Sequence, residues 1–203
     1  MAKYVITIAR QFGSLGRPIA RRMSEMLGIE YYDRDIVDAV AAKTELPRST
    51  VIEVDEKINT GFFRMMFPLG QNNLQVQNQV VQTQREIILN LAEQQNCIIV
   101  GRCSDYILEN VENHLRIYIY ASYEKRLENC IKTLLMEPEE AKRMIREVDK
   151  ARDAYHRHYA GYTPGDINYK DILIDSGMLG VEGTAEYLAE LVKKRFMSGS
   201  EKQ

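Results

Sequence analysis

The 203-residue sequence has little of what several protein classes require. It has three cysteines without metal-ligand spacing, so we expect reduced thiols and a cytoplasmic protein. No apolar run approaches the ~20 residues of a membrane helix, and the first residues lead into a strand rather than a signal-peptide pattern. Lys and Arg (27) do not outnumber Asp and Glu (29), whereas a general nucleic-acid binder needs a basic surface. We therefore expect neither a membrane nor a nucleic-acid partner.

The N-terminal segment combines a buried strand, a glycine loop and a helix start. The apolar run Tyr4–Ala9 leads into the loop Arg10–Pro18, and a helical pattern follows. Glycines allow backbone N–H groups to converge on an anion, and the helix start adds partial positive charge. Aligned on the phosphate-loop pattern G-x-x-x-x-G-K-[ST], the chain has Gln11, Gly16, Arg17 and Pro18 at its four specified positions. The alternative interpretation is a tight turn that binds nothing.

Strand and helix patterns alternate along the rest of the chain. Short strands are predicted over 29–33, 97–101, 115–121 and 171–175, and long helices over about 74–95 and 138–159. This alternation predicts one α/β domain, residues 1–203, with a doubly wound five-stranded parallel sheet. Ligands on such sheets bind at the carboxyl ends of the strands.

Arginines are frequent at these strand ends and on the helices that follow them. Arginine forks match phosphate oxygens and keep their charge, so this distribution indicates a site for a polyphosphate. The arginines concerned are Arg10, Arg17, Arg34, Arg102, Arg126, Arg152 and Arg157.

Several short motifs resemble the cytidylate kinase-like family, over roughly Tyr4–Phe196. They are I-T-I-A-R-Q-F-G-S-L-G-R-P-I-A at the N-terminus, Tyr31–Arg34, Val100–Arg102, Ala121–Arg126, the acids and arginine Asp149, Asp153 and Arg157, and the strand Asp171–Asp175. The resemblance implies a P-loop nucleoside monophosphate kinase fold. It divides the domain into a core (1–33, 74–135, 166–197), a helical acceptor-binding insert (about 34–73) and a lid (about 136–165).

The resemblance also implies an ATP-dependent kinase that acts on a nucleotide or similar phosphorylated small molecule. Mg²⁺ is expected to be held mainly by the nucleotide, with no protein metal site. The loop Phe12, Gly13, Ser14, Leu15, Gly16, Arg17 and Pro18 would bind the donor nucleotide. Arg17, Arg126, Arg152 and Arg157 would be catalytic, and Asp33, Arg34, Arg102 and Asp105 would bind the acceptor.

Departures from the family motifs support a second hypothesis. Arg17 replaces the loop lysine, Pro18 lacks the hydroxyl that binds magnesium, and Cys103 stands where the family has an acid. These features suit a nucleotide-binding regulator or interaction protein without turnover. A dinucleotide oxidoreductase is disfavoured, because the glycine spacing is not G-x-G-x-x-G.

Some residues keep a structural alternative. Asp33 could cap a helix instead of binding substrate, and Arg152 and Arg157 could belong to a solvated helix face. The cluster Phe62–Phe67 suits either a flap or a homo-oligomer contact, and we favour the contact.

Overall fold

The computed structural model describes residues 3–47, 51 and 72–197, and the side chains of Arg34 and of residues 72–77 fall outside this description. The elements are β1 (Val5–Arg10), α1 (Gly16–Leu27), β2 (Glu30–Tyr32), α2 (Arg34–Thr44), α3 (Asn72–Gln94), β3 (Cys97–Val100), α4 (Ser104–Ile107), β4 (His114–Tyr120), α5 (Tyr123–Lys132), α6 (Pro138–Ala160), a 3-10 turn (Ile167–Tyr169), β5 (Ile172–Asp175) and α7 (Ser176–Phe196). Within these ranges, none of the helices has the length and apolarity to cross a bilayer.

The five strands form one parallel sheet in the order β2-β3-β1-β4-β5. Ile8 of β1 lies opposite Val100 of β3 and Ile117 of β4, so the three central strands end at nearly the same level. The doubly wound five-stranded parallel sheet predicted from the sequence is confirmed. Because β1 is central, the loop that follows it lies at the middle of the carboxyl edge.

Helices cover both faces of the sheet. Ile6 and Ile8 of β1 pack into one core cluster with α1 and α7, and Val5 packs into a second cluster with α2 and α3. Successive strand residues point to opposite faces, which is why a continuous apolar run serves both cores. The first strand, from which the loop starts, is therefore fixed by packing on both faces of the sheet.

The predicted division into core, insert and lid remains a prediction. The long helices end within two residues of the predicted bounds, at Asn72–Gln94 and Pro138–Ala160. Most of the proposed insert lies outside the described residues, and so does the apolar cluster Phe62–Phe67.

His114 links β4 to β1 inside the sheet and gives a prediction about acid stability. Its Nδ1 lies 3.0 Å from the Leu108 carbonyl and its Nε2 2.7 Å from Thr7 Oγ1. Burial lowers the pKa of His114 to about 4, below the ordinary value of about 6.5 for an unfolded chain. The stabilisation is therefore complete above about pH 6.5 and is lost as the pH falls towards 4.

We expect this histidine to contribute on the order of 2 kcal/mol to the acid sensitivity of the free energy of unfolding. Urea unfolding of the wild type and His114→Gln between pH 7 and 4.5 measures it. The variant should be less stable at pH 7 but should lose less stability on acidification. Parallel pH curves would contradict the assignment.

Candidate functional site

The loop between β1 and α1 presents a helix start that no side chain caps. Leu15, the N-cap residue, is in the left-handed conformation (φ 57°) and makes no side-chain cap hydrogen bond. The first turn of α1 contains no acidic residue. The first amides of a helix lack intrahelical partners and carry partial positive charge. This helix start can therefore accept an anion.

Two loop carbonyls are held by side chains from other elements. Asn129 Nδ2 of α5 donates to the Gly13 carbonyl at 2.9 Å, and Ser176 Oγ of α7 donates to the Ser14 carbonyl at 2.7 Å. Gly13 has φ +78°, and a Cβ there would lie 2.8 Å from the Arg126 carbonyl oxygen and 2.9 Å from Cys130 Sγ. The loop thus needs glycine at position 13 because it packs tightly against α5.

A carboxylate from α6 also contacts the loop. The Phe12 amide donates to Asp149 Oδ1 at 2.7 Å. Arg126 Nη1 lies 2.5 Å from Asp149 Oδ2 and 3.3 Å from the Phe12 carbonyl oxygen. Arg126 was predicted to neutralise a phosphoryl group, and here it holds α6 and the loop together. Asp149 joins an amide and a guanidinium, the donor types that also bind phosphate oxygens.

Two guanidinium groups pair with the buried carboxylate of Asp33, and the charges of two further arginines, Arg102 and Arg152, interact with it. We call Arg10, Arg17, Arg102 and Arg152 the arginine cluster. Arg17 Nε lies 2.5 Å from Asp33 Oδ2, and Arg10 Nη2 lies 3.7 Å from Asp33 Oδ1. Asp33 precedes α2 but makes no side-chain cap hydrogen bond, so the helix-cap alternative is wrong. Its carboxylate belongs to the cluster instead.

Arg102 and Arg152 are held in an environment that disfavours their charge. Burial, together with the neighbouring charges of Arg10 and Arg17, lowers the pKa of Arg102 to about 10 and that of Arg152 to about 9. Arg152 Nη1 donates to the Arg10 carbonyl at 3.0 Å, so Arg152 does not lie on a solvated helix face. A cluster of four cations around Asp33 would be stabilised by a bound polyanion.

Arg10 was predicted at the strand end but was not assigned a role. Its guanidinium lies against Gly101, where a Cβ would come within 2.2 Å of Arg10 Nη1. Gly101, Arg102 and Cys103 all have positive φ, at 77°, 61° and 50°. This turn brings Arg102 into the cluster and leaves room for Arg10. The signal for Arg10 in the sequence is its position at the end of the central strand.

The close approach of Gly101 and Arg10 gives a prediction with a matched control. Gly28 has a similar φ (+64°), and nothing lies within 4 Å of a Cβ built there. Gly101→Ala and Gly28→Ala should each cost about 1 kcal/mol of stability through the backbone alone. Only Gly101→Ala displaces Arg10, so only it should weaken the binding of a polyphosphate measured by calorimetry, by about 10-fold. Equal polyphosphate affinities of the two variants would contradict a role for Arg10.

The remaining predicted site residues are placed differently. Arg157 is exposed on α6, and its charge interacts with the carboxylate of Asp153. Asp105 is buried and pairs with His156 and Lys170, so its carboxylate has internal partners. Pro18 is exposed in the first turn of α1. The Arg34 side chain lies outside the described part of the chain.

The fold and the loop define the class of protein: a kinase-like α/β protein whose phosphate loop follows the central strand. The model of the cytidylate kinase-like family matches residues 5–178. The chain belongs to this family. Membership supports a kinase-like nucleotide phosphotransferase, as the sequence motifs predicted.

The similarity extends to individual proteins. A cytidylate kinase from Methanopyrus kandleri is 24% identical over 192 residues, which cover 91% of this chain and 90% of that protein. A solved structure of an uncharacterized protein from Eubacterium ventriosum has a TM-score of 0.72 at 22% identity and covers 95% of this chain and 100% of that one. Shikimate kinase from Acinetobacter baumannii, solved with shikimate, has a TM-score of 0.52 at 16% identity and covers 99% and 97%. The structural likenesses establish the shared fold.

Proposed function

We propose that the protein transfers a phosphoryl group from ATP to a nucleoside monophosphate or a similar phosphorylated small molecule. The observation that carries the proposal is the arginine cluster, which lies beside the uncapped start of α1. Phosphoryl transfer requires positioning and charge stabilisation more than covalent chemistry. Both requirements can be met by backbone amides and guanidinium groups of this site.

The loop and the cluster would have different roles. The residues Phe12–Pro18 would bind the donor phosphates, with Arg17 in the place of the usual lysine. Arg102 and Asp33 would orient the acceptor from the ends of β3 and β2, and Arg34 is proposed with them. Arg126, Arg152 and Arg157 would neutralise the transferring group from α5 and α6.

The residues around the loop suit a metal that arrives with the nucleotide. Oxygen ligands are what Mg²⁺ prefers, and it usually keeps several waters and binds through substrate phosphates. This site offers mainly guanidinium donors, and Pro18 has no hydroxyl. Mg²⁺ would therefore be held through ATP, where it would neutralise phosphate charge.

The test is transfer from ATP in the presence of Mg²⁺ to CMP, UMP, AMP, GMP and dCMP, with separation of the nucleotides by chromatography. Formation of a nucleoside diphosphate from one of these acceptors supports the proposal. ATP binding in calorimetry without product from any acceptor supports the second candidate, a nucleotide-binding regulator. Two observations favour that candidate, the missing hydroxyl at Pro18 and the occupation of the Phe12 amide by Asp149. Absence of ATP binding contradicts both candidates.

Because Pro18 is exposed, we expect its substitution to change stability and phosphoryl transfer little. A first-turn residue needs no intrahelical N–H, so Pro18→Ser should change the free energy of unfolding by less than about 1 kcal/mol. The new hydroxyl could bind Mg²⁺, so phosphoryl transfer should stay similar or rise. Rates measured over a Mg²⁺ titration test this. A loss of transfer with unchanged folding would show that the proline itself is needed.

A further inference from the structure

A buried ion cluster lies behind the proposed site and is not part of it. Asp105 comes from α4, His156 from near the C-terminal end of α6, and Lys170 from the segment before β5. Their exposed fractions are 4%, 4% and 8%. His156 Nε2 lies 3.0 and 3.1 Å from the two Asp105 oxygens, and Lys170 Nζ pairs with the same carboxylate. One carboxylate thus joins three separate segments of the chain.

The partners of the His156 ring determine its number of protons. Its Nδ1 lies 2.9 Å from the Tyr162 carbonyl oxygen, which can only accept a hydrogen bond. Its Nε2 faces Asp105. The ion pair with Lys170 favours the ionised form of the Asp105 carboxylate, whatever the state of His156. An ionised carboxylate also only accepts, so both ring nitrogens must donate.

His114 shows the opposite arrangement in the same protein. Its Nδ1 faces the Leu108 carbonyl oxygen, but its Nε2 faces the hydroxyl of Thr7, which can donate. A neutral ring satisfies both partners of His114, whereas a neutral ring would leave one acceptor beside His156 without a proton. The two buried histidines are therefore expected in different protonation states.

We infer that His156 is held as an imidazolium and is a positioning residue that fixes α6 over the phosphate loop. The charges around it are compatible with this state. Lys170 and His156 are the cations, Asp105 is the direct counterion, and Asp153 of α6 is a second carboxylate close enough to interact with His156. The other titratable groups nearby are Tyr162 and Cys103, and burial raises the pKa of both.

The link to the proposed site runs along one face of α6. Arg152 lies four residues before His156, so the two side chains share a face of the helix. Arg152 donates to the Arg10 carbonyl, and Asp149, three residues earlier, accepts from the Phe12 amide. The hydrogen bond from His156 to the Tyr162 carbonyl oxygen fixes the segment that follows α6. The Tyr162 ring stacks on the Tyr169 ring, with 3.7 Å between the ring centroids. Loss of one ring proton would remove a contact that holds this face in register.

Nuclear magnetic resonance of the ring nitrogens tests the protonation state directly. The chain has three histidines. His114→Gln and His158→Gln assign two of them, so His156 is identified without altering it. The expected result at about pH 7.5 is a doubly protonated His156 ring and a neutral His114 ring. A neutral His156 ring at this pH would overturn the inference. This measurement needs no substrate.

The positioning role is tested with His156→Gln, and the exposed His158→Gln on the same helix is the matched control. Amide hydrogen exchange in residues 149–160 should be faster in His156→Gln and unchanged in the control. This part of the test also stands without turnover, so its failure is distinguishable from failure of the proposed kinase activity. Equal protection of the wild type and His156→Gln would overturn the positioning role.

The kinetic readout rests on the proposed function. We expect His156→Gln to lower kcat by about 10- to 100-fold with little change in KM, because Arg152 is misplaced rather than removed. His158→Gln should keep the kcat of the wild type. A kcat of His156→Gln equal to that of the wild type would contradict the inference.

Discussion

Arg17→Ala is expected to lower phosphoryl transfer by about 100- to 1,000-fold, the range measured for removal of one preorganised donor at a developing negative charge. Arg17 lies in the first turn of α1 and reaches Asp33 with its Nε at 2.5 Å. The variant loses the charge that stands in place of the loop lysine, and Asp33 keeps its ion pair with Arg10. The loss should therefore appear in both ATP affinity and kcat.

Two further variants make this result specific. Arg17→Lys restores a point charge without the planar fork, so it should recover part of the transfer rate. Arg21→Ala is the control on the same helix. The Arg21 side chain is 77% exposed and pairs with Glu25 at the surface. This control should change the transfer rate by less than about twofold, since exposed ion pairs contribute little. Equal losses in Arg17→Ala and Arg21→Ala would indicate damage to α1 rather than loss of a phosphate ligand.

Arg102→Met should cost about 2–4 kcal/mol of transition-state stabilisation, a loss of about 30- to 1,000-fold in transfer. Methionine keeps much of the apolar stem while it removes the guanidinium. Arg102 lies in a turn of positive φ at the end of β3, and burial and the charges of Arg10 and Arg17 lower its pKa to about 10. The protein holds this cation where its charge is disfavoured.

Stability and activity should respond differently to Arg102→Met. Removal of one of four clustered cations relieves repulsion from Arg10 and Arg17 and offsets the lost attraction to Asp33, so the midpoint of urea unfolding should change little. Arg143→Met on α6 is the control, because the Arg143 side chain is 58% exposed. If Arg102→Met loses stability and keeps its acceptor affinity and rate, then Arg102 is a structural ion-pair residue and not an acceptor ligand.

Much of the fold was predictable because it depends on local pattern. The apolar run before Gly13, the buried strand before Gly101 and the helical periodicities at both ends of the chain predicted the alternation of strands and helices. Parallel strands in such an alternation place their carboxyl ends at one edge. That rule predicted which loops would meet, and it brought Arg17, Asp33 and Arg102 together as candidates.

The partners of individual side chains were not predictable in this way. The Phe12 amide and Asp149 are 137 residues apart, and Asp105 and His156 are 51 apart. Periodicity shows which face of α6 is buried, but not what that face touches. Asp105 was expected to bind substrate because it follows a strand, and its internal pairing with Lys170 had no local signal.

The sequence by itself determined the order of elements, the phosphate loop after the first strand and the supply of arginines at the strand ends. These features follow from the spacing of apolar residues and glycines, which acts over a few residues. Only the tertiary structure decided that Arg10 approaches Gly101, that Asp33 pairs with Arg17 instead of capping α2, and that His156 faces two acceptors. Such contacts join distant segments, and the packing of the whole domain sets their distances.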